Sequence, residues 1–159
     1  MTIYTSLVYN FNKLLENKTK NNICVVFDID GTIINDNVYS PKSERDIIID
    51  VYKFLMSLQH VGVPIFIITA RPDFTVNRNA TSRMLDDLGI DYEYLYMWNR
   101  QVFDDHISFK EEARYDIHLH GYDVIMSLGD NEWDYGKYGG LGVHIYNNGE
   151  SIEYFPEQI

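Results

Sequence analysis

The run Ile23-Cys24-Val25-Val26-Phe27 is apolar at every position. A strand with one wet face alternates apolar and polar residues, so an unbroken run belongs to a strand covered on both sides. Helices on the two faces of a parallel sheet provide that cover. The rest of the chain fits this frame. Pro64 to Ile68, Tyr92 to Met97 and Asp123 to Leu128 read as further strands, and Gly142 to Tyr146 as a last one. Helices are expected over Ile3 to Asn17, with the stripe Ile3, Leu7, Phe11, Leu14 and Leu15, and over Ser43 to His60, with Ile47, Val51, Phe54, Leu55 and Leu58. Val76 to Leu88 and Ser108 to His120 are helical too, closing at Gly89 and Gly121. Glu132 to Tyr138 forms a short helix, Asn17 to Asn22 a polar loop, and the tail from Asn147 is irregular or an edge strand.

Strands alternating with helices predict an α/β chain: a Rossmann-like, three-layer α/β/α fold with a mostly parallel sheet and right-handed crossovers. The organisation expected is one domain over 1–159, with an N-terminal helix in 1–20, a core over 23–146 and a tail over 147–159. Neither repeats nor low-complexity tracts interrupt it.

Charge narrows the partners. Thirteen basic residues stand against 24 acidic ones, a formal net charge of -11. Phosphate backbones are held by clustered Lys and Arg, so nucleic acid is disfavoured, though not excluded, as a partner. The single cysteine, Cys24, lies inside the first apolar run and reads as a small core residue. With no pair to form a disulfide, it fits a reducing compartment. Met1 to Lys20 lacks a long apolar segment, and no run approaches bilayer length, so the expectation is a cytoplasmic protein without membrane contact.

In open parallel sheets, sites form beyond the carboxyl ends of the strands. After the first strand comes Asp28-Ile29-Asp30-Gly31-Thr32, after the second Thr69-Ala70-Arg71-Pro72, and after the fourth Gly129-Asp130-Asn131-Glu132-Trp133-Asp134. Lys110 opens the helix before the fourth strand. Alone, each has a plainer reading: Asp30-Gly31 a turn, Thr69 a strand-end hydroxyl, Lys110 a solvated lysine, Asp134 a helix cap, Asn131 a turn-former, Arg71 a loop cap. Together they suit phosphoryl chemistry. Carboxylates at Asp28, Asp30 and Asp130 offer oxygen ligands to Mg²⁺, a hard cation. The Thr69 hydroxyl and Lys110 can hold phosphate oxygens, with backbone donors from the turn after Asp28. Asp28 can attack phosphorus in line to give an aspartyl-phosphate, while Asp30 protonates the leaving oxygen and then activates water. Uncatalysed monoester hydrolysis needs accelerations of up to ~10²¹-fold, for which a cation, a lysine and tight positioning are credible sources.

In order and spacing these segments resemble the four motifs of the haloacid dehalogenase (HAD) superfamily, over roughly Ile23 to Tyr146. The resemblance implies that Asp28 is the nucleophile and Asp30 the general acid/base. It implies a phosphate-binding set of Thr69, Lys110, Ala70 and Gly31. It gives Mg²⁺ to the Asp28 side chain, the Asp30 carbonyl and Asp130, with Asp134 a ligand or, like Asn131, a group standing behind the ligands. Aspartate at position 30 is the pattern of the phosphatase branch. Ile67 to Pro72 and Phe109-Lys110 further resemble the class B-like acid phosphatases of subfamily III and, less closely, the 3'-phosphatase domain of polynucleotide kinases. Many of those acid phosphatases carry Asp-Glu-Thr where this chain has Asp-Gly-Thr, and many are secreted, so an acid pH optimum does not carry over.

HAD phosphatases commonly choose substrates with an inserted cap, and neither Ile33 to Pro64 nor Ala80 to Phe109 has room for one. A capless site suits an exposed phosphate on a macromolecule, or a small phosphorylated molecule enclosed by a second copy in a homo-oligomer. Ile33 to Ser40 and Trp98 to Ser108 are its expected walls, with Tyr39, Trp98 and Trp133 as candidate rim residues. The five histidines show no metal-ligand spacing. A nucleotide or polynucleotide-end phosphatase stays open, as does a non-catalytic metal- or phosphate-binding interaction module.

Overall fold

In a computed structural model, which describes residues 1–17 and 22–157, six strands form one sheet in the order β3-β2-β1-β4-β5-β6. The strands are β1 (Ile23–Phe27), β2 (Ile65–Pro72), β3 (Tyr94–Trp98), β4 (Asp123–Gly129), β5 (Leu141–Tyr146) and β6 (Ser151–Phe155). All neighbours pair in parallel except β5 and β6. The helices are α1 (Ile3–Glu16), α2 (Ile49–His60), α3 (Thr75–Asp87) and α4 (His106–Leu119). Most of the loop expected over Asn17 to Asn22 lies outside the described residues.

The unbroken apolar run of β1 is used on both faces. Ile23, Val25 and Phe27 join Ile65 and Ile67 of β2 under α1, α2 and α3. Cys24 and Val26 join Phe66, Ile68 and Val124 under Phe109, Ala113 and Ile117 of α4. The layering is therefore unequal: three helices cover one face and a single helix the other. On the crowded side, Phe54 of α2 meets Phe11 edge-on at 6.0 Å and Phe27 at 6.2 Å. The tail is the edge strand β6, tied to α1 by a 2.7 Å hydroxyl contact between Ser6 and Tyr154.

Three details differ from expectation. The helix expected from Ser43 begins at Ile49, preceded by a separate 3-10 turn over Glu44–Asp46. There the backbone serves another purpose: Ile34 bridges Ile47, and the Ile48 N–H donates to Ile33 O at 2.8 Å. Ile48, not Ile47, is the buried residue. The helix expected over Glu132 to Tyr138 is one 3-10 turn, Glu132–Asp134. And β2 does not end at Ile68 but runs to Pro72 through an irregularity between Thr69 and Pro72. Such bulges re-aim side chains beside sites, and proline is tolerated in them. Among the described residues, no inserted cap interrupts the core.

Candidate active site

The strand order reverses between β1 and β4, where crossovers leave to opposite sides and a crevice opens above the strand ends. Asp28 follows β1, and Asp130 and Asp134 follow β4. Two glycines let these acids close up. Gly31 has φ +75°, and a Cβ there would strike the Asp130 carboxylate. A Cβ on Gly129 would strike Asp134. Gly31 is thus required for space and for backbone conformation. Its N–H, expected as a phosphate donor, is given to Ile34 O at 2.8 Å, which closes the turn instead.

Lys110, in the second turn of α4, reaches under the crevice and is 2% exposed. Its ammonium lies 3.0 Å from Asp28 Oδ1, 2.6 Å from Asp134 Oδ1 and 2.7 Å from Ile68 O. It donates hydrogen bonds to Asp28 and Ile68 O and forms an ion pair with Asp134. Burial alone lowers its pKa, but Asp134 and Asp28 outweigh that and raise it. The Asp28 carboxyl is pushed well above the usual range, first by burial and then by Asp134, with Lys110 pulling the other way. Asp130 is raised too, mainly by burial. One oxygen from each of Asp28, Asp130 and Asp134 falls within 4.8 Å of the others. Three crowded carboxylates against one lysine leave negative charge uncompensated, which a divalent cation would offset.

Asp30 points elsewhere. Arg71 donates to it twice, from Nε to Oδ2 at 2.9 Å and from Nη2 to Oδ1 at 2.9 Å. The same guanidinium donates to Tyr39 O at 2.9 Å and to the Thr81 hydroxyl at 3.3 Å, and lies 4.1 Å from the Tyr39 ring centroid. Thr69 is buried at the end of the straight part of β2, and its hydroxyl accepts from the Arg71 N–H at 3.2 Å. Asn131 stands behind the acids. Its side chain donates to Asp130 Oδ1 at 3.2 Å, and its N–H to Asp134 Oδ2 at 3.0 Å, as part of a capping box.

A depression of about 390 Å³ exposes this set to solvent, bringing Asp28, Asp30, Thr69, Ala70, Lys110, Asp130 and Asn131 to one surface. Gly31 and Asp134, both buried, do not line it. Three residues were not singled out by the motifs, although Asp36 and His106 fall in the two expected walls. Asp36 and His106 line the depression. Arg114, buried in α4, donates to Trp133 O at 3.0 Å and Lys137 O at 2.8 Å, holding the loop that carries the acids. The spacing of Lys110 and Arg114, one turn apart on the sheet-facing side, was the available signal for the last. Of the rim candidates, Trp133 lines the site with His106 edge-on to it, Trp98 packs behind His106, and Tyr39 serves as the shelf for Arg71.

A family model described as HAD superfamily, subfamily IIIB (acid phosphatase) matches residues 41–148, well over half of the chain. The chain belongs to that family. Solved structures share the subfamily IIIB chain's fold. One chain in a "Structure of Pnkp1/Rnl/Hen1 complex" superposes with TM-score 0.60 at 23% identity, over 73% of this chain and 42% of that one. The class C acid phosphatase from Bacillus anthracis gives 0.56 at 20% identity, over 83% and 63%. The protein thus spans less than two-thirds of either chain, and at such identities the likeness concerns the fold. No protein of curated function matches the sequence.

Proposed function

We propose that the protein is a Mg²⁺-dependent phosphomonoester hydrolase working through an aspartyl-phosphate on Asp28. The observation that carries this is the buried Lys110 held between Asp28 and Asp134 at the strand-order reversal, with Asp130 within carboxylate reach. Lys110 opposes the burial and neighbouring acids that push Asp28 toward its neutral, non-nucleophilic form, and a bound cation would add to that pull. Asp28, Asp130 and Asp134 side chains, with the Asp30 carbonyl, are the groups that would hold the cation. When bound, Mg²⁺ supplies the positive charge that lets a phosphate dianion approach carboxylates.

Asp28 Oδ attacks phosphorus as the bond to the leaving oxygen breaks, and Asp30 gives that oxygen its proton. Asp30 then takes a proton from water, which attacks the acyl phosphate and frees Asp28 and inorganic phosphate. Arg71 fixes the Asp30 carboxylate by two parallel hydrogen bonds and so sets where that proton is exchanged. Thr69, Ala70 and Lys110 border the phosphate.

With no cap above it, the site admits a phosphate on a large substrate as well as a small one. A nucleotide or polynucleotide-end reading is favoured by the aromatic pair Trp133 and His106 beside the acids, which offers a planar base a stacking surface. The net charge of -11 opposes long polynucleotides. Among the described residues no helix is long and apolar enough to cross a membrane, and the lone buried Cys24 suits a reducing cytoplasm.

The test is release of inorganic phosphate from p-nitrophenyl phosphate with and without Mg²⁺. Wild type should turn over only with the metal, and Asp28→Asn should lose on the order of 10⁴-fold or more. Undiminished turnover by Asp28→Asn would overturn the mechanism. Comparing nucleoside monophosphates with 3'-phosphorylated oligonucleotides then separates the two substrate readings.

A further inference from the structure

Because α4 alone covers its face of the sheet, the β3 end of that face is open. A groove of about 540 Å³ runs there, between the last turn of α4 and the first residues of β3. It lies at the end of the sheet opposite Asp28, since Glu93 and Tyr94 sit where β3 begins. Its walls are aromatic. Tyr94 and Tyr96 meet edge-on at 4.7 Å, and Phe66 and Tyr122 at 5.0 Å. Tyr94 is 53% exposed, unusual for a ring in a strand. The charged groups are the carboxylates of Glu93 and Asp116, beside the exposed imidazole of His120; neither lysine nor arginine lines it. The Tyr96 hydroxyl donates to Asp116 Oδ2 at 2.7 Å, fixing that carboxylate beside the rings.

Ring faces and carboxylates attract the same ligand, an organic cation whose alkyl stem also gains from the apolar walls. Anions meet the opposite preference. Among the described residues, the three cation–π contacts of the chain use Tyr9, Tyr39 and Trp98, so none fills this groove. The chain's net charge of -11 draws a basic partner toward it. The source of the cation follows from β3, the outermost strand of the sheet. Tyr94, Tyr96 and Trp98 recur every second residue along it, the period at which an extended polypeptide presents side chains. We propose that this groove binds an extended basic segment of a partner protein, seating an arginine against the edge-on pair Tyr94 and Tyr96 with Glu93 and Asp116 as counter-charges.

The probe is a fluorescently labelled peptide, Gly-Arg-Gly-Arg-Gly-Arg-Gly, titrated with the whole chain at physiological salt, against the same peptide with citrulline for arginine. Wild type should bind the arginine peptide at least about tenfold more tightly than the citrulline one, a gap of about 1.4 kcal/mol. Tyr94→Leu, which leaves net charge unchanged at an exposed position, should weaken binding about tenfold, and Glu93→Gln several-fold. Both variants should keep p-nitrophenyl phosphate turnover, which verifies their fold. Equal binding by Tyr94→Leu and wild type would mean attraction to net charge alone and overturn the site. Absence of peptide binding, or binding of free agmatine as tight as the peptide, would overturn the polypeptide partner.

Discussion

Two ion-pair systems meet at the candidate active site, and they are built to different tolerances. The inner one joins Lys110 to Asp28 and Asp134, with side chains 2%, 9% and 1% exposed. The outer one joins Arg71 to Asp30, 4% and 34% exposed. In the inner system every partner is held by core structure: β1, the helix α4 and the capped turn after β4. In the outer one Arg71 is fixed, resting on Tyr39 and Thr81, but the carboxylate it clamps reaches solvent. The inner system sets a buried lysine against the burial that disfavours the charge of Asp28, the proposed nucleophile. The outer one leaves the Asp30 carboxylate within reach of solvent, as its proposed proton-exchanging role requires.

Removing the inner cation should have the largest effect. Lys110→Met strands two buried carboxylates, and breaking a buried pair costs about 3–5 kcal/mol. For a chain of this size that lowers Tm by about 10 °C or more, readable by calorimetry. Adding Mg²⁺ should recover part of the loss, because another cation then faces the same acids. A Lys110→Met protein as stable as wild type would erase the distinction between the two systems.

Next comes the outer clamp. Arg71→Ala should lower kcat by about 10²-fold, within the range for misplacing a general acid, with a smaller change in Tm than Lys110→Met. Arg71→Lys should fail to restore activity, because a point charge cannot reproduce two parallel hydrogen bonds. Full rescue by lysine would show that only charge matters there. Asn131→Ala should follow, weakening Mg²⁺ dependence of turnover by about tenfold through loss of the amide that orients Asp130.

The inner system was largely legible in the sequence, and the outer one was not. Asp28 and Asp130 each follow an apolar run, and strand ends predict their own convergence. Lys110 is reached from a helix whose register the apolar residues Phe109, Ala113 and Ile117 set. Arg71, by contrast, pairs with Asp30 only because β2 continues through an irregularity after Thr69, a backbone event that no residue type between Thr69 and Pro72 dictates. Its support from Tyr39 depends on the course of the segment between Ile34 and Ile48, where Pro41 and Ser43-Glu44 look like a helix start. Backbone pairing of Ile34 with Ile47 overrides that local signal. The aromatic groove on β3 was hidden for the same kind of reason: an alternating Tyr94, Tyr96, Trp98 face looks like ordinary packing until the sheet is seen to carry one helix on that side.

The smallest effect should come from the shelf beneath the clamp. Tyr39 offers Arg71 two things, a backbone carbonyl and a ring face. Substitution cannot remove the carbonyl, and Tyr39→Leu removes the ring while keeping apolar bulk. A partly exposed cation–π contact contributes about 0.5–1 kcal/mol, so kcat should fall no more than about fivefold. The loss should appear in kcat rather than KM, since the ring acts on Asp30 through Arg71. A matching rise in KM would instead make Tyr39 a substrate contact, and the outer system would then extend to the rim of the site.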